Sequence, residues 1–382
     1  MIKRYQHKKI DGHGAPRHRA YPHESGVYKH HRHGEDAERS RPDLKDALRA
    51  AGITPTQKKE SSHFRKRSGE HFPHRKTGRG ERHDRRGMAS FRSASQTEAI
   101  IPLLKKDDIR IIPLGGVEEV GRNMTVIETV DDIIVVDCGI QFQGEETPGI
   151  DFILPNTKYL EKHKDKVRAI IITHGHLDHI GGIPYIAERI GNPPIYTRNL
   201  TMLMIKKRQE EFAHLPPLNL KVIEKEDKVR LGQLSLRFFS VTHTIPDSMG
   251  VIVETPYGSI VHTGDLKLDH VDGVPTEREE EQFAQFKDEN VLLLMADSTN
   301  VERSGFSIPE SMVHKNLEEI IKNATGRLFI GTFASQLERI VHVITVAEKY
   351  KKKIVIDGRS MKTNIEIARL AGICKPQKDT II

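Results

Sequence analysis

The stretch IITHGHLDHIGGIPY, residues 171–185, places three histidines and an aspartate within six residues. It continues an apolar run, residues 167–173, of the kind that forms a buried strand. Imidazole nitrogens and carboxylate oxygens are donors that hold zinc or manganese at neutral pH. His174 and His176 can converge on one ion from an extended turn, while Asp178 and His179 can face a second ion beside it. The pattern predicts a metal-binding loop at a strand end; the alternative is a polar loop whose histidines only form hydrogen bonds.

Two later residues lie where such a site needs further donors. His243 ends the strand-like run LSLRFFSVTH, and Asp265 follows the strand-like run GSIVHTG. A carboxylate has two oxygens and can bridge two ions about 3.5–4 Å apart. Taken alone, each residue is more readily explained as structural. Together with the histidine loop, they complete one predicted set of ligands.

Short runs separated by turns predict a β-rich region that begins near residue 109. Strands are expected at IRIIPLGG and LSLRFFSVTHT, and strand pairs at NMTVIETVDDIIVVDCG and GVIVETPYGSIVHTGD. IGGIPYIAERIG predicts a helix that ends at Gly191, and NVLLLMAD predicts another buried strand. A strand at RLFIGTF, a helix over about residues 335–351, a strand at KKIVIDG and a helix at KTNIEIARLAG would then form a parallel α/β unit.

Several motifs carry a more specific likeness. The chain resembles the metallo-β-lactamase superfamily, and within it the nucleic-acid-cutting β-CASP branch and the ribonuclease J family. Generic members share the histidine motif and the later His and Asp, whereas HTIPDS, DSTN and TFAS are more selective. The likeness extends over about residues 109–382, in the family's order, through the segments IIPLGGVEEVGRNM, IVVDCGIQF, GIDFILPN, ITHGHLDHIGGIPY, THTIPDSMGVIVETPYGSIVHTGDLK, MADSTN, TFASQLERI and DGRSM.

This resemblance implies a fold and a set of ligands. The fold would be an α/β metallo-β-lactamase sandwich of αβ/βα layers, followed by the start of a β-CASP α/β domain. Asp137 would support the histidine loop, and Asp297 would open the β-CASP region. In PGID, a Gly149 carbonyl and an Asp151 carboxylate would hold a structural calcium ion. The first zinc would be bound by His174, His176, His243 and Asp265, and the second by Asp178, His179 and the shared Asp265.

The resemblance also implies an activity. Relatives hydrolyse RNA phosphodiester bonds as 5′-to-3′ exonucleases and as endonucleases, in RNA decay and rRNA maturation. Asp178, His179 and Asp265 would be catalytic, with Asp178 taking a proton from the attacking water. Two Zn²⁺ ions would work per site, with Mn²⁺ or Mg²⁺ as other possible ions. RNA would be the partner, in a homodimer or homotetramer and in a degradosome-type complex. No apolar run of about 18 residues predicts a membrane span, and we expect a cytoplasmic protein.

The chain departs from the family pattern in three places. The downstream histidine that closes the family's second metal site is missing, as is the Ser-Gly-His stretch that grips the substrate phosphate. Residues 336–338 read Gln-Leu-Glu, where relatives tend to have Asn and a His-Arg pair. The sequence stops at KPQKDTII, before the family's return to the sandwich and its dimerisation domain. We therefore expect an N-terminal fragment of a longer enzyme.

Charge divides the chain into unequal parts. Residues 1–100 contain 24 Lys and Arg against 12 Asp and Glu, whereas residues 101–382 contain 36 against 41. The first hundred residues are also poor in apolar side chains, which predicts disorder. They are either a passive solvated extension or an arm that neutralises nucleic-acid phosphates. We expect the metallo-β-lactamase domain at residues 105–303 and an incomplete β-CASP domain at residues 304–382.

Two other functions remain open at the level of sequence. A small-molecule hydrolase of the same superfamily would share the histidine motif but would not need DSTN or TFAS. A non-catalytic RNA-binding or scaffold protein would fit the basic tail and the incomplete site. Against it, Asp178, His179 and Asp265 are all present. The two cysteines, Cys138 and Cys374, provide no disulfide framework and fit a reducing interior.

Overall fold

The computed structural model describes residues 101–382 except for 145–147. The predicted tail, residues 1–100, lies outside the described residues. The strands of the described part are β1 Arg110–Gly115, β2 Met124–Glu128, β3 Ile133–Val136, β4 Gln141–Phe142, β5 Phe152–Ile153, β6 Val167–Ile171, β7 Ile195–Thr197, β8 Leu220–Val222, β9 Lys228–Leu231, β10 Leu234–Ser240, β11 Met249–Thr255, β12 Gly258–His262, β13 His270–Val271, β14 Val274–Pro275 and β15 Val291–Met295.

Helices lie between these strands and after them. The α-helices of the described residues are α1 Lys158–Lys162, α2 Leu177–Ile180, α3 Ile183–Ile186, α4 Asn199–Gln209, α5 Glu277–Phe283, α6 Glu310–Asn323, α7 Leu337–Lys349 and α8 Arg359–Leu370. Single 3-10 turns lie at Lys164–Lys166, Glu210–Phe212 and Ala284–Phe286. None of the helices in this part of the chain combines the length and the apolar character needed to cross a membrane.

Two sheets form the centre of the described fold. The first has the strand order β1-β2-β3-β6-β7-β8, antiparallel as far as β3 and parallel from there on. The second has the order β15-β12-β11-β10-β9, antiparallel except where β15 joins β12. Strands β10 and β12 both pair antiparallel with β11, so they run in the same direction. Their carboxyl ends therefore lie at the same edge of the second sheet.

Alternation along the strands determines which residues lie between the sheets. In β3, Ile134 and Val136 pack against residues of the second sheet, while Ile133 and Val135 pack against helices on the other face. Each such buried side chain contributes about 1.5–3 kcal/mol by leaving water. The outer face of the second sheet, at Phe239, is covered by Phe283 and Phe286. The layers thus follow the order helix, sheet, sheet, helix, which confirms the predicted αβ/βα sandwich.

The segment after the histidine loop differs from the prediction. A helix closed by Gly191 was expected, but the structure has only the four-residue helices α2 and α3, joined through Gly181 and Gly182. A Cβ at Gly181 would lie 2.5 Å from the Leu177 carbonyl oxygen, and one at Gly182 would lie 2.8 Å from that of Gly139. Both positions therefore require glycine, although their backbone is helical, with φ of −64° and −79°.

The prediction of a buried strand at NVLLLMAD was half wrong. The strand forms as β15, but Leu292 and Leu294 are 51% and 59% exposed. β15 is the edge strand of its sheet, with β12 as its neighbour. No helix of the described residues covers its faces at these positions. An apolar run therefore predicted the strand correctly but not its burial.

The last part of the chain forms its predicted helices without its predicted strands. Helices α7 and α8 share an apolar cluster that includes Ile340, Ile344 and Ile365. RLFIGTF is not a strand, and Phe329 and Phe333 are exposed. In KKIVIDG the single strand-like contact is an isolated bridge between Ile354 and Ile381. A strand needs paired neighbours, whereas a helix satisfies its own backbone, so the helices form and the sheet does not.

Candidate metal centre

Three strand ends supply the predicted ligands. His174 and His176 follow β6 of the first sheet, and helix α2 directly after them carries Asp178 and His179. His243 follows β10, and Asp265 follows β12, both of the second sheet. The structure brings all six side chains together at one end of the sandwich. Residues that lie far apart in the sequence thus meet because β6, β10 and β12 all end at the same end of the sandwich.

The first donor set consists of His174, His176, His243 and Asp265. His174 Nε2 lies 3.0 Å from His176 Nδ1, which lies 3.2 Å from His243 Nε2. Asp265 Oδ2 lies 3.8 Å from both His174 Nε2 and His243 Nε2. Four donors placed tetrahedrally about 2.05 Å from a zinc ion would be about 3.3 Å apart. These four distances are therefore close to the spacing that two donors of one zinc ion require, and all four atoms lie within 4.8 Å of one another.

Hydrogen bonds on the outer sides of the rings leave the inner nitrogens free to bind a metal. Thr173 Oγ1 donates to Asp137 Oδ2 at 3.0 Å, so it accepts from His174 Nδ1, also at 3.0 Å. His176 Nε2 lies 3.3 Å from Thr244 Oγ1 and can donate to it. With these protons on the outer nitrogens, the inner nitrogens of both rings carry lone pairs. The proton arrangement therefore also fits a metal site.

The second donor set consists of Asp178, His179 and Asp265. His179 Nε2 lies 3.5 Å from Asp178 Oδ2 and 3.3 Å from Asp265 Oδ1. Asp265 thus turns one oxygen towards each set, which is the arrangement of a bridging carboxylate. Among the described residues, this set has three donors, one fewer than the first.

Burial keeps the histidines of the first set neutral. His174 is fully buried, and desolvation together with the neighbouring imidazoles holds its pKa well below the ordinary value. Burial also lowers the pKa of His243 to about 4, although the Asp265 carboxylate partly opposes this. For Asp265, burial raises the pKa, but the contacts with His179 outweigh it and bring the pKa to about 2. These donors are therefore in their metal-binding protonation states at pH 7.

His179 is electrostatically different. Its Nδ1 lies 2.8 Å from Asp137 Oδ2, and both side chains are buried. Burial lowers the pKa of His179, but Asp137 and the carboxylates of Asp178 and Asp265 outweigh it and hold the pKa well above the ordinary value. Asp137 also accepts the Thr173 backbone N–H at 2.8 Å. Asp137 therefore contacts His179 and the start of the histidine loop at the same time.

Backbone contacts hold the loop over the end of β3. Cys138 N donates to His179 O at 2.8 Å, and Gly182 N donates to Cys138 O at 2.8 Å. The loop approaches so closely that a Cβ on Gly139 would lie 1.5 Å from the Asp178 carbonyl oxygen. Glycine at 139 is therefore required for Asp178 to occupy its place.

Asn123 is a site residue that the sequence analysis did not identify. Its Nδ2 lies 3.3 Å from Asp178 Oδ2, 3.2 Å from Asp178 O and 3.0 Å from His179 Nε2. Its backbone N–H also donates to Asp178 O at 3.0 Å. Asn123 thus touches two of the three residues of the second set. It lies in GRNM, 55 residues before Asp178, and no spacing pattern connects the two.

The remaining predicted residues are placed as follows. Asp297 Oδ2 accepts the Leu266 N–H at 3.2 Å, so it braces the segment that follows Asp265. Gly149 has a φ of 86° and is exposed, as is Asp151. The calcium site at Gly149 and Asp151 stays a prediction.

A cavity opens beside the second set. Its volume is about 830 Å³, and its wall includes Asp178, His179 and Asp265 as well as Asn123 and Arg303. Clefts that hold small ligands are usually about 300–1,000 Å³. The histidines of the first set are not part of this wall. The second set therefore faces the space in which a substrate could lie.

Two protein-family models match this chain. The family model of the metallo-beta-lactamase superfamily matches residues 117–292. The model of the ribonuclease J beta-CASP domain matches residues 325–382. The two matches follow one another along the chain in the predicted order.

Individual relatives match over most of this chain. Ribonuclease J of Thermus thermophilus is 43% identical over 278 residues, which are 71% of this chain and 48% of that protein. Ribonuclease J of Mycoplasma pneumoniae is 36% identical over 277 residues, which are 72% of this chain and 48% of that protein. The chain thus spans about half the length of the curated relatives it matches.

A solved structure shares the fold. The crystal structure of a protein of unknown function from Enterococcus faecalis V583 matches with a TM-score of 0.53 and 17% sequence identity. The match covers 72% of this chain and 73% of that one. At this identity the likeness shows the fold alone.

Proposed function

Because the chain belongs to the metallo-β-lactamase superfamily, in its ribonuclease J branch, we propose that it hydrolyses RNA phosphodiester bonds at a two-zinc centre. One observation carries the proposal. Asp265 Oδ2 faces the histidines of the first donor set while Asp265 Oδ1 faces His179 of the second. A carboxylate whose two oxygens face different donor sets can bind one ion with each oxygen, and the two ions would then lie side by side.

The six donors have the right chemistry for divalent zinc. His174, His176, His243 and Asp265 would hold one ion, and Asp178, His179 and Asp265 the other. Manganese accepts the same nitrogen and oxygen donors, and magnesium prefers the oxygens. When bound by these residues, two adjacent ions would supply an activated water at neutral pH and would neutralise charge on the attacked phosphoryl group.

Protein groups would then handle the proton. Asp178 is part of the cavity wall, and its side chain is 29% exposed, so water reaches its carboxylate. Burial raises the pKa of Asp178, but the contacts with His179 outweigh it and hold the pKa below the ordinary value. An ionised Asp178 can accept a proton from the attacking water, and Asn123 holds the carboxylate towards His179.

RNA is favoured over a small molecule as the substrate. The match of residues 325–382 to the ribonuclease J beta-CASP domain supports this choice, and so does the excess of Lys and Arg in residues 1–100. Basic residues bind phosphates without reading sequence. We assign the activity to 5′-to-3′ exonuclease and endonuclease cleavage in RNA decay and rRNA maturation. We also propose that the protein forms a homo-oligomer, takes part in a degradosome-type complex and is located in the cytoplasm.

The test begins with the metal and ends with the RNA. Elemental analysis of the purified 382-residue chain should find two zinc ions, and one after Asp178→Ala. A 3′-labelled, unstructured RNA with a 5′-monophosphate should be shortened from its 5′ end, and the same RNA with a 5′-triphosphate should be cut internally. Asp178→Ala should slow both reactions by about 10²–10⁴-fold.

Asp165→Ala provides the matched control. Asp165 is an exposed carboxylate before β6, at the end of that strand opposite to the histidine loop. This variant should keep two ions and wild-type cleavage. A chain that binds two ions and hydrolyses β-lactams or thioesters but not RNA would overturn the proposed substrate. A chain that binds RNA without either ion would support the scaffold alternative.

A further inference from the structure

Glu310, at the start of α6, joins two cations from different parts of the chain. Lys267 Nζ donates to Glu310 Oε2 at 3.0 Å. Arg339 Nε and Nη2 donate to Glu310 Oε1 at 2.9 and 2.8 Å, and Nη2 also reaches Oε2 at 3.0 Å. The Glu310 side chain is only 13% exposed. One carboxylate thus balances two positive charges that would otherwise repel each other.

Lys267, the first of these cations, lies close to Asp265 along the chain. Lys267 lies two residues after Asp265, and its backbone N–H donates to Thr242 O at 2.7 Å. Thr242 directly precedes His243. Where Lys267 is held therefore affects the distance between two ligands of the first set, Asp265 and His243.

The second cation leads to His176. Arg339 Nη1 donates to Gln336 Oε1 at 2.8 Å, at the start of α7. The neighbouring Glu338 N donates to Thr244 O at 3.3 Å. Thr244 Oγ1 in turn lies 3.3 Å from His176 Nε2, and the Ser335 backbone also accepts from His176. The beginning of α7 therefore braces the outer side of the His176 ring.

Both connections end in one narrow cleft beside His243. Its wall includes Thr242, His243 and Thr244 from the sandwich and Glu310 and Arg339 from the helices. Burial raises the pKa of Glu310, but the hydrogen bonds from Lys267 and Arg339 outweigh it and leave the pKa below the ordinary value. Glu310 is therefore ionised at neutral pH and pairs with both cations.

We propose that Glu310 is a positioning residue of the metal centre, because its ion pairs with Lys267 and Arg339 set the spacing of Asp265, His243 and His176. The inference rests on the proposed two-metal function. Removing the charge of Glu310 takes away the carboxylate that holds Lys267 and Arg339 together, so the segments that carry them can move apart. The distances between the ligands of the first set then change.

A second ion pair between the same helices provides the matched control. Glu318 of α6 pairs with Lys349 of α7 at 2.6 Å, with both side chains more exposed and no contact to a ligand-bearing segment. If Glu310 only fastened α6 to α7, then Glu310→Gln and Glu318→Gln would have similar effects. If Glu310 positions ligands, only the first variant changes the metal site.

Cobalt(II) reports on the geometry without any need for turnover. The metal-free 382-residue chain is titrated with Co²⁺, and its visible absorption records affinity and coordination. Glu310→Gln should weaken Co²⁺ binding at the first set by about 10- to 100-fold and alter the spectrum. Glu318→Gln should match wild type in both, and Glu310→Asp should recover part of the loss. Unfolding curves of the metal-free variants show that they are folded.

Arg339→Gln is the second variant, in case Glu310→Gln does not fold. It keeps the contact between Lys267 and Glu310 and should shift the spectrum in the same direction by a smaller amount. Wild-type affinity and spectrum in Glu310→Gln, or in Arg339→Gln if only that variant folds, would overturn the inference, as would an equal loss in Glu318→Gln. Failure of the wild-type chain to bind Co²⁺ would instead refute the proposed function.

Discussion

The two donor sets share Asp265 but differ in the number of their donors, in their access to the large cavity and in the pKa values of their histidines. The first has four donor atoms within 4.8 Å of one another, with neutral histidines away from the large cavity. The second has three donors among the described residues, faces the cavity, and contains a histidine whose pKa is raised by the neighbouring carboxylates. Closed tetrahedral sites hold their metal, whereas catalytic sites keep a position open for water or substrate. We therefore propose that the first set would hold its ion firmly and that the second would carry the chemistry.

The largest expected effect of this difference is on catalysis. Asp178→Ala removes the proposed proton acceptor, so RNA hydrolysis should fall by about 10²–10⁴-fold. The first ion should remain bound, and RNA affinity should persist because phosphate contacts supply most of it. Single-turnover cleavage and filter binding measure the two quantities. Near-wild-type cleavage would show that the second set does not carry the chemistry.

The next effect concerns the carboxylate that orients His179. Asp137→Asn should weaken the second ion by about 10- to 100-fold and the first ion by less, as measured by competition with a chromophoric chelator. Asp132→Asn is the control, since Asp132 is also buried, pairs with Arg168 and lies at the opposite end of β3. Equal losses at both sets would remove the distinction between them.

The metal affinities of the two sets should depend differently on pH. The pKa values of about 4 for His243 and about 2 for Asp265, together with the lowered pKa values of His174 and His176, should leave the affinity of the first set little dependent on pH near neutrality. His179 must lose a proton, so the affinity of the second set should rise by about tenfold per pH unit until the pH passes its raised pKa. Co²⁺ titrations between about pH 5.5 and 8 measure both. Parallel slopes would contradict the comparison.

The same raised pKa affects the metal-free protein in the opposite direction. The pKa of His179 in the folded chain lies above its value in the unfolded chain. Its contribution to stability is therefore complete below the unfolded value and is lost as the pH rises through the folded one. Unfolding curves of the metal-free chain should show this loss, and Asp137→Asn should reduce it.

The smallest expected effect is at Asn123. Asn123→Ala removes a long hydrogen bond, of 3.3 Å, to the ionised Asp178 carboxylate. At about 1.5 kcal/mol, the low end for a charged acceptor, its loss should slow cleavage by roughly 10-fold with both ions retained. Asn290→Ala removes a similar bond to the Tyr257 carbonyl, beside the turn between β11 and β12, and should leave cleavage unchanged. Loss of the second ion in Asn123→Ala would mean that Asn123 builds the set and does not merely orient it.

Most of the sandwich could be predicted from local patterns. The apolar runs before His174, His243 and Asp265 form β6, β10 and β12, and both predicted strand pairs are present. A period of two determines which face of a strand is apolar. It does not determine what packs against that face, which is why β15 formed as predicted but remained exposed.

The sequence by itself determined the kinds of donor and their positions just after strand ends, because side-chain chemistry and strand periodicity are local properties. Only the tertiary structure decided that β6, β10 and β12 end together, with His243 Nε2 3.2 Å from His176 Nδ1. It also decided that Asn123 touches Asp178 and that Glu310 joins Lys267 to Arg339. These contacts depend on how sheets and helices pack against one another. The number of residues between two positions in the sequence does not predict that packing.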